Sequence, residues 1–423
     1  MLRRLTIIAA MPAPILAFML LSAQPAWAQA QQLRELCYGS AASADQAIAA
    51  CSALIAADEF KPSDQAKDLA NRAHAYRAKG QADLAIADAS HAIRLQADYA
   101  FAHNIRGIAH AETGLDERAI ADFTAALSLK PDYADAWFNR GNRYLQQGLL
   151  DKAIGDYTQA IALAPAGSDA YVNRGNAWRD KGEEQRALAD YARAVALNAA
   201  DPKAWYNRGK LHNVARRYDS AIADLGRALA LKSDAAGYFY ERGFALGELG
   251  RSDPAIIDFT RAILIDPGFV SAWYSRGLHY RKLGQFDRAA ADLTRVIALR
   301  PDDAAAYQIR GLVYRQEGRL DLALADLDRA ISLKPELAEA HVLRGSILAG
   351  RKLCDRAIAD FTRAIELQWD NPGAFVGRAN CMHAAGSTQQ AYADYARALQ
   401  LNPNDRWSRT QLARLAEELV TNW

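Results

Sequence analysis

The chain has 423 residues, 51% of them hydrophobic and 24% charged, with only 13 prolines and 26 glycines. That balance buries a sizeable core and excludes a disordered chain. The formal charge is +2, and without Arg3 and Arg4 basic and acidic residues are equal at 49 each, so no global field draws the chain to nucleic acid or to an anionic membrane.

Residues 1–28 read as a signal peptide. Arg3 and Arg4 supply the positive start, and Leu5 to Leu21 is an apolar run broken by Thr6 and two prolines. Ala26-Trp27-Ala28 has the small-x-small pattern of a cleavage site, which predicts a mature chain that begins at Gln29 and is periplasmic or secreted. An uncleaved anchor is the alternative, but the run falls short of the ~20 residues that cross a bilayer. No later segment is apolar enough, so no membrane span is expected in the mature chain.

Residues 29–65 read as a degenerate helical hairpin, in which Asp45-Gln46-Ala47-Ile48 copies the start of a helix found many times later. The four cysteines fall in two local pairs. Export makes an even count read as two disulfides, Cys37–Cys51 and Cys354–Cys381. Small apolar fillers in helix packing are the alternative for each. The first bridge would staple this N-terminal cap. Neither pair has metal-ligand spacing, and no metal or cofactor is expected.

From residue 66 to 405 the chain repeats itself. Arg-Gly recurs every 34 residues from Arg106-Gly107 to Arg344-Gly345, and Arg72-Ala73 and Arg378-Ala379 extend the series to ten. Four residues before the glycine stands a ring in most copies, such as Trp137, Tyr171 and Trp273. Twelve residues after it stands alanine in every copy, and three further on aspartate in every copy, as in Ala153 and Asp156. Each unit reads as two helices. The first covers Ala136 to Gln147 in the third unit, Gly148 ends it, and the second runs from about Asp151 to Leu163 before Pro165. Strand signals are absent. Gly141 and Ala153 let the paired helices approach, while Trp137, Tyr144 and Tyr157 fill the space around them. One hairpin cannot bury both of its faces, so neighbours must stack.

The spacing Trp137, Gly141, Tyr144, Ala153, Tyr157, Ala160, Pro165 resembles the tetratricopeptide repeat. The resemblance covers residues 66–405. It implies an all-α, right-handed superhelical solenoid of ten 34-residue helix-turn-helix repeats, with a concave groove lined by the first helix of each pair. The family usually has leucine where this chain places arginine before each glycine. Arg216, Lys352 and Trp369 also depart from it, at the inter-helix glycine or the closing proline. We expect each of these arginines to pair with an aspartate of the conserved column within or between repeats, because a planar guanidinium binds a carboxylate in two places. Residues 406–423 read as a C-terminal capping helix, with Leu412, Leu415 and Leu419 on one side and Trp407 and Trp423 helping to seal it.

No glycine-rich nucleotide loop, HExxH or GxSxG is present, so an enzyme is not expected. His103, His110 and His341 occupy packing columns and read as fillers. His74 and His383 lie on the groove faces of the first and last repeats. Helix spacing puts the residues three before the glycine, and one and four after it, on one side; the resemblance implies that this side lines the groove and that the residue two before the glycine joins it. These are Phe138, Asn139, Asn142, Asn173, Asn176, Arg179, Tyr206, Asn207 and Lys210, then Tyr240, Phe244, Tyr274 and Arg281. Amides offer both donors and acceptors to the main chain of an extended peptide. Asn139, Asn173 and Asn207 are similar to the asparagine ladder in the repeats of O-linked N-acetylglucosamine transferase. Tyrosines suit a peptide or a sugar ring. The leading expectation is therefore a non-enzymatic scaffold that binds extended protein segments. A glycan-associated envelope scaffold and a spacer with no groove ligand are the alternatives.

Overall fold

The computed structural model describes residues 26–39, 41–57, 61–367 and 371–421. Most of the expected signal peptide, together with Trp369 and Trp423, lies outside these residues. Among the described residues there are 23 helices and no strand. No helix among them is long and apolar enough to cross a membrane. First helices begin at Ala100, Ala134, Ser168, Pro202, Ala236, Val270, Ala304, Ala338 and Pro372, each 34 residues after the last. Each is followed by a second helix, such as Leu150–Leu163 after Ala134–Gln146. The chain divides into two compact units, the first ending at Asn207 and the second starting at Arg208.

In the first unit, the contact inside a hairpin is set by side-chain size. Gly141 is buried, and a Cβ added there would lie 2.9 Å from the Tyr157 ring. Ala85, Ala119, Ala153 and Ala187 on the second helices are fully buried. Phe123, Tyr157 and Tyr191 fill the interior beside these small residues. Between hairpins, Ile161, Tyr171, Val195 and Ala204 make one apolar cluster, with Phe138 and Trp205 packed on it. The N-terminal helices Ala26–Tyr38 and Ala44–Ala56 are joined by the Cys37–Cys51 disulfide, with sulfurs 2.06 Å apart, and they bury Ala50 and Leu54 beside it. Ser43 and Gln46 form a capping box that starts the second of these helices.

The second unit repeats the scheme, with Leu225, Phe259, Leu293, Leu327, Phe361 and Tyr395 as the interior residues. Its last helix, Arg406–Thr421, buries Leu415 against Ala379 and Tyr395, with Leu412 packed on them. Trp407 does not help to seal this end, since it is 55% exposed on the first turn of the helix. The second expected disulfide is also corrected. Cys354 and Cys381 are free thiols. They pack together with Leu348, Phe361 and Ala374 as small apolar fillers, and burial beside the Cys354 thiol pushes Cys381 up to about 12.

The Arg–Asp columns meet inside each repeat. Ten such pairs stand among the described residues, from Arg72–Asp88 to Arg378–Asp394, always 16 residues apart. Most are two-pronged, as where Arg140 Nε and Nη2 donate to the two Asp156 oxygens at 2.8 and 2.9 Å. The remaining nitrogen often reaches the previous repeat: Arg140 Nη1 donates to Thr124 Oγ1 at 3.1 Å, and Arg310 Nη1 to Thr294 Oγ1 at 2.8 Å. The histidines in packing columns join the same network. His110 Nδ1 lies 2.9 Å from Asp122, and His341 Nδ1 lies 3.2 Å from Asp360.

Candidate functional site

The expected binding residues all sit on first helices. Lys210 is exposed and the others are half-buried. In the first unit the amides are tied to one another. Asn173 Nδ2 donates to Asn142 Oδ1 at 2.9 Å, and Asn139 Nδ2 donates to Asn104 Oδ1 at 3.2 Å. Asn104 in turn donates to the Tyr133 hydroxyl. These bonds run from one first helix to the next, so the ladder links repeats before any ligand arrives. Each amide nitrogen keeps a second N–H. Asn207 continues the column, but it has no such bond among the described residues. Tyr206 stands beside it, half-buried.

A pairing that was not anticipated explains Asn142 and Asn176. The buried Tyr157 hydroxyl donates to Asn142 Oδ1 at 2.8 Å, and the Tyr191 hydroxyl donates to Asn176 Oδ1 at 2.8 Å. In the second unit Tyr395 donates to Asn380 in the same way. Burial raises the pKa of Tyr157, Tyr191 and Tyr395, so each hydroxyl stays protonated and needs an acceptor. The signal was present in the sequence. Asparagine follows the glycine or its alanine substitute only in the three repeats whose interior residue, fifteen positions later, is tyrosine. The other repeats carry Phe, Leu or Ala there and leave no hydroxyl to satisfy. Arg179 is held within its own helix, donating to the exposed Asp180 at 2.9 Å and to Asn176 at 3.4 Å.

Two hollows open on this unit. One, of about 300 Å³, is lined by Asn139, Asn142, Arg143, Glu112 and the Phe123 edge. The other, of about 210 Å³, is floored by Phe138, whose ring lies 5.9 Å from that of Tyr157.

In the second unit the rings are shared between face and interior. Tyr240 packs at 4.9 Å from Phe269 and 5.8 Å from Phe259. Tyr274 packs against the cluster of Ala289, Leu293 and Val313. Burial raises both phenol pKa values. Arg281 keeps its Nε buried without a partner. Lys210, Tyr240 and Phe244 open onto a hollow of about 500 Å³, completed by Asn213, Val214, Arg216, Tyr218, Glu241 and Glu248. Sequence reasoning passed over Asn213, although it stands four residues after a repeat glycine, in the same column as Arg179 and Arg281. Among the described residues no cluster of His, Cys, Asp and Glu could hold a metal ion.

Tandem helical hairpins with small residues at their contacts define the class of helix-repeat scaffolds suited to protein–protein interaction. The tetratricopeptide repeat model matches residues 71–134, 117–168, 138–204, 173–237, 274–338, 316–372 and 342–406, and a second model of the same repeat matches 236–269. The chain belongs to the tetratricopeptide repeat family. A search of curated proteins found no match. Among solved structures the chain is similar to YrrB, described as a TPR protein with an unusual peptide-binding site, at 27% identity over 44% of this chain and 95% of that one, with a TM-score of 0.41. It is similar to MamA from Desulfovibrio magneticus RS-1 at 25% identity over 40% and 96%, TM-score 0.39. It is also similar to the Cut9–Hcn1 assembly at 14% identity over 96% and 99%, TM-score 0.47.

Proposed function

We propose that this chain is a non-enzymatic adaptor, exported to the periplasm or secreted, that holds an extended protein segment along the face made by its first helices. In this reading residues 1–28 are removed, 29–65 cap the N-terminal end, 66–405 carry ten repeats and 406–423 cap the other end. The observation that carries it is the amide ladder. Asn139 and Asn173 are already fixed by bonds to neighbouring repeats, yet each keeps polar capacity on the first-helix face. Groups held in place before binding lose little freedom on binding, which is where a string of weak contacts gains affinity.

The test is capture of envelope proteins on the immobilised mature chain. Replacing Asn139, Asn173 and Asn207 together with Ala is expected to cut capture of the main partner by about ten-fold while leaving the circular dichroism helix signal unchanged. Equal capture would remove the ladder from the binding face.

A further inference from the structure

We infer that the hollow over Phe138 is a subsite for one phenylalanine ring of an extended guest, with a lysine or arginine beside it. The inference rests on the adaptor reading above and names the guest side chains at this one place.

The chain itself shows what fills this place in other repeats. The residue just before the next repeat's first helix recurs every 34 positions. Tyr99, Tyr133, Phe269 and Leu337 pack there as apolar plugs on the cluster beside them. Asp201, Asp303, Asn371 and Asp405 instead accept from a main-chain N–H of the helix that follows. Gly167 and Ala235 do neither. The plugs sit over the residue 29 positions earlier. Asn104 Nδ2 donates to the Tyr133 hydroxyl at 3.2 Å, and the Phe269 ring lies 4.9 Å from that of Tyr240. In the same register Gly167 stands over Phe138, and the ring is missing.

A cation is missing with it. In the preceding repeat Lys130 Nζ lies 5.3 Å from the centre of the Tyr133 ring. One repeat later those two positions are Ala164 and Gly167. What remains is a hollow of about 210 Å³, floored by Phe138 and walled by Ala160, Ala164 and Ala170. An apolar cavity of about 150 Å³ already takes a benzene ring. Phe138 replaces the amide that meets the Tyr133 hydroxyl, so phenylalanine suits this floor better than tyrosine.

The charges at the hollow have one sign. Asp135 and Asp169 line it, no lysine or arginine does, and neither carboxylate has an ion pair among the described residues. The repeat does not require them, since Lys67, Phe101, Lys203 and Gly237 stand in the same column. An uncompensated pair of carboxylates favours a basic side chain on the guest.

The experiment selects random displayed decapeptides on the full mature chain and titrates the strongest, fluorescently labelled, against wild type and two variants. The expected consensus is Phe next to Lys or Arg. Gly167→Phe supplies the missing ring from within. Gly167 has φ −78 and ψ 101, open to any residue, and a Cβ there meets only the Ala164 main-chain oxygen, at 3.4 Å. This variant should keep or raise the melting temperature and bind about ten-fold more weakly. Changing the peptide's Phe to Ala should weaken binding to wild type by a similar factor and leave binding to Gly167→Phe unchanged. Asp135→Asn with Asp169→Asn should weaken binding about three-fold, most at low salt. Selected peptides without an aromatic residue, or affinity indifferent to either variant, overturn the subsite and leave the adaptor reading to its own asparagine test. No selected peptide at all overturns both.

Discussion

At Arg140 one guanidinium meets three demands. It grips Asp156 with two nitrogens, reaches Thr124 in the preceding repeat, and lies 4.8 Å from the centre of the Trp137 ring. Its side chain is 14% exposed and that of Asp156 is 8% exposed. Removing the carboxylate strands a desolvated cation, which costs more than the intact pair contributes. Asp156→Ala is expected to destabilise the protein by about 3 kcal/mol in urea unfolding, whereas an exposed aspartate such as Asp151 should cost little. The same geometry sets an acid limit. Burial works to raise the pKa of Asp122, but the hydrogen-bonded Arg106 and His110, with His103 nearby at 3.8 Å, hold it below the usual carboxylate range. A carboxylate with a depressed folded-state pKa gives stability that is present above the unfolded value and lost as pH falls through the folded one. Asp122→Asn should therefore be less stable than wild type near neutral pH, and should lose less stability between about pH 6 and about pH 3. Thermal melts across that range measure the difference.

At the scale of helices and hairpins, the third repeat shows how much was legible. Its first helix was expected over Ala136 to Gln147 and is Ala134–Gln146, and its second helix ends at Leu163 as expected. Small residues every 34 positions told where helices touch, because contact distance depends only on what is missing from the side chain. The Arg–Asp pairing was legible for a similar reason: two columns of opposite charge with one spacing leave little choice of partner. The amides were harder. Asn142 was read as a binding residue, and its oxygen also serves Tyr157, because a column on one helix says nothing about a hydroxyl arriving from another. Cys354 and Cys381 were paired correctly in space, yet they fill a hole as thiols, and burial rather than bonding accounts for them. The N-terminal hairpin depends more on its sulfurs, since among the described residues its buried cluster is small: Cys37, Ala50, Cys51 and Leu54. Closing a loop of 14 residues contributes about 3 kcal/mol in the chain-entropy account. Cys51→Ser should make residues 26–57 the first segment cut in limited proteolysis. The repeats should melt almost as before, because stability in stacked repeats is local to neighbours.

Across the whole chain, two kinds of surface compete as the place where a partner docks. One is the first-helix face of each unit, with tethered amides and the half-buried Tyr206 in the first unit and the half-buried Tyr240 and Tyr274 in the second. The other is the exposed side of the second helices, where Ile257 and Leu264 are 62% and 67% exposed. The near balance of charge gives neither surface a long-range electrostatic advantage. Local, short-range chemistry must choose between them, and the preorganised polar groups lie on the first. Photo-crosslinking in the living cell separates the two directly, with benzoylphenylalanine placed singly at Tyr206, Tyr240, Tyr274, Ile257 and Leu264. The account predicts discrete crosslinked protein adducts from the three tyrosine positions and none from Ile257 or Leu264. Adducts from Ile257 and Leu264, with the tyrosine positions silent, would contradict it.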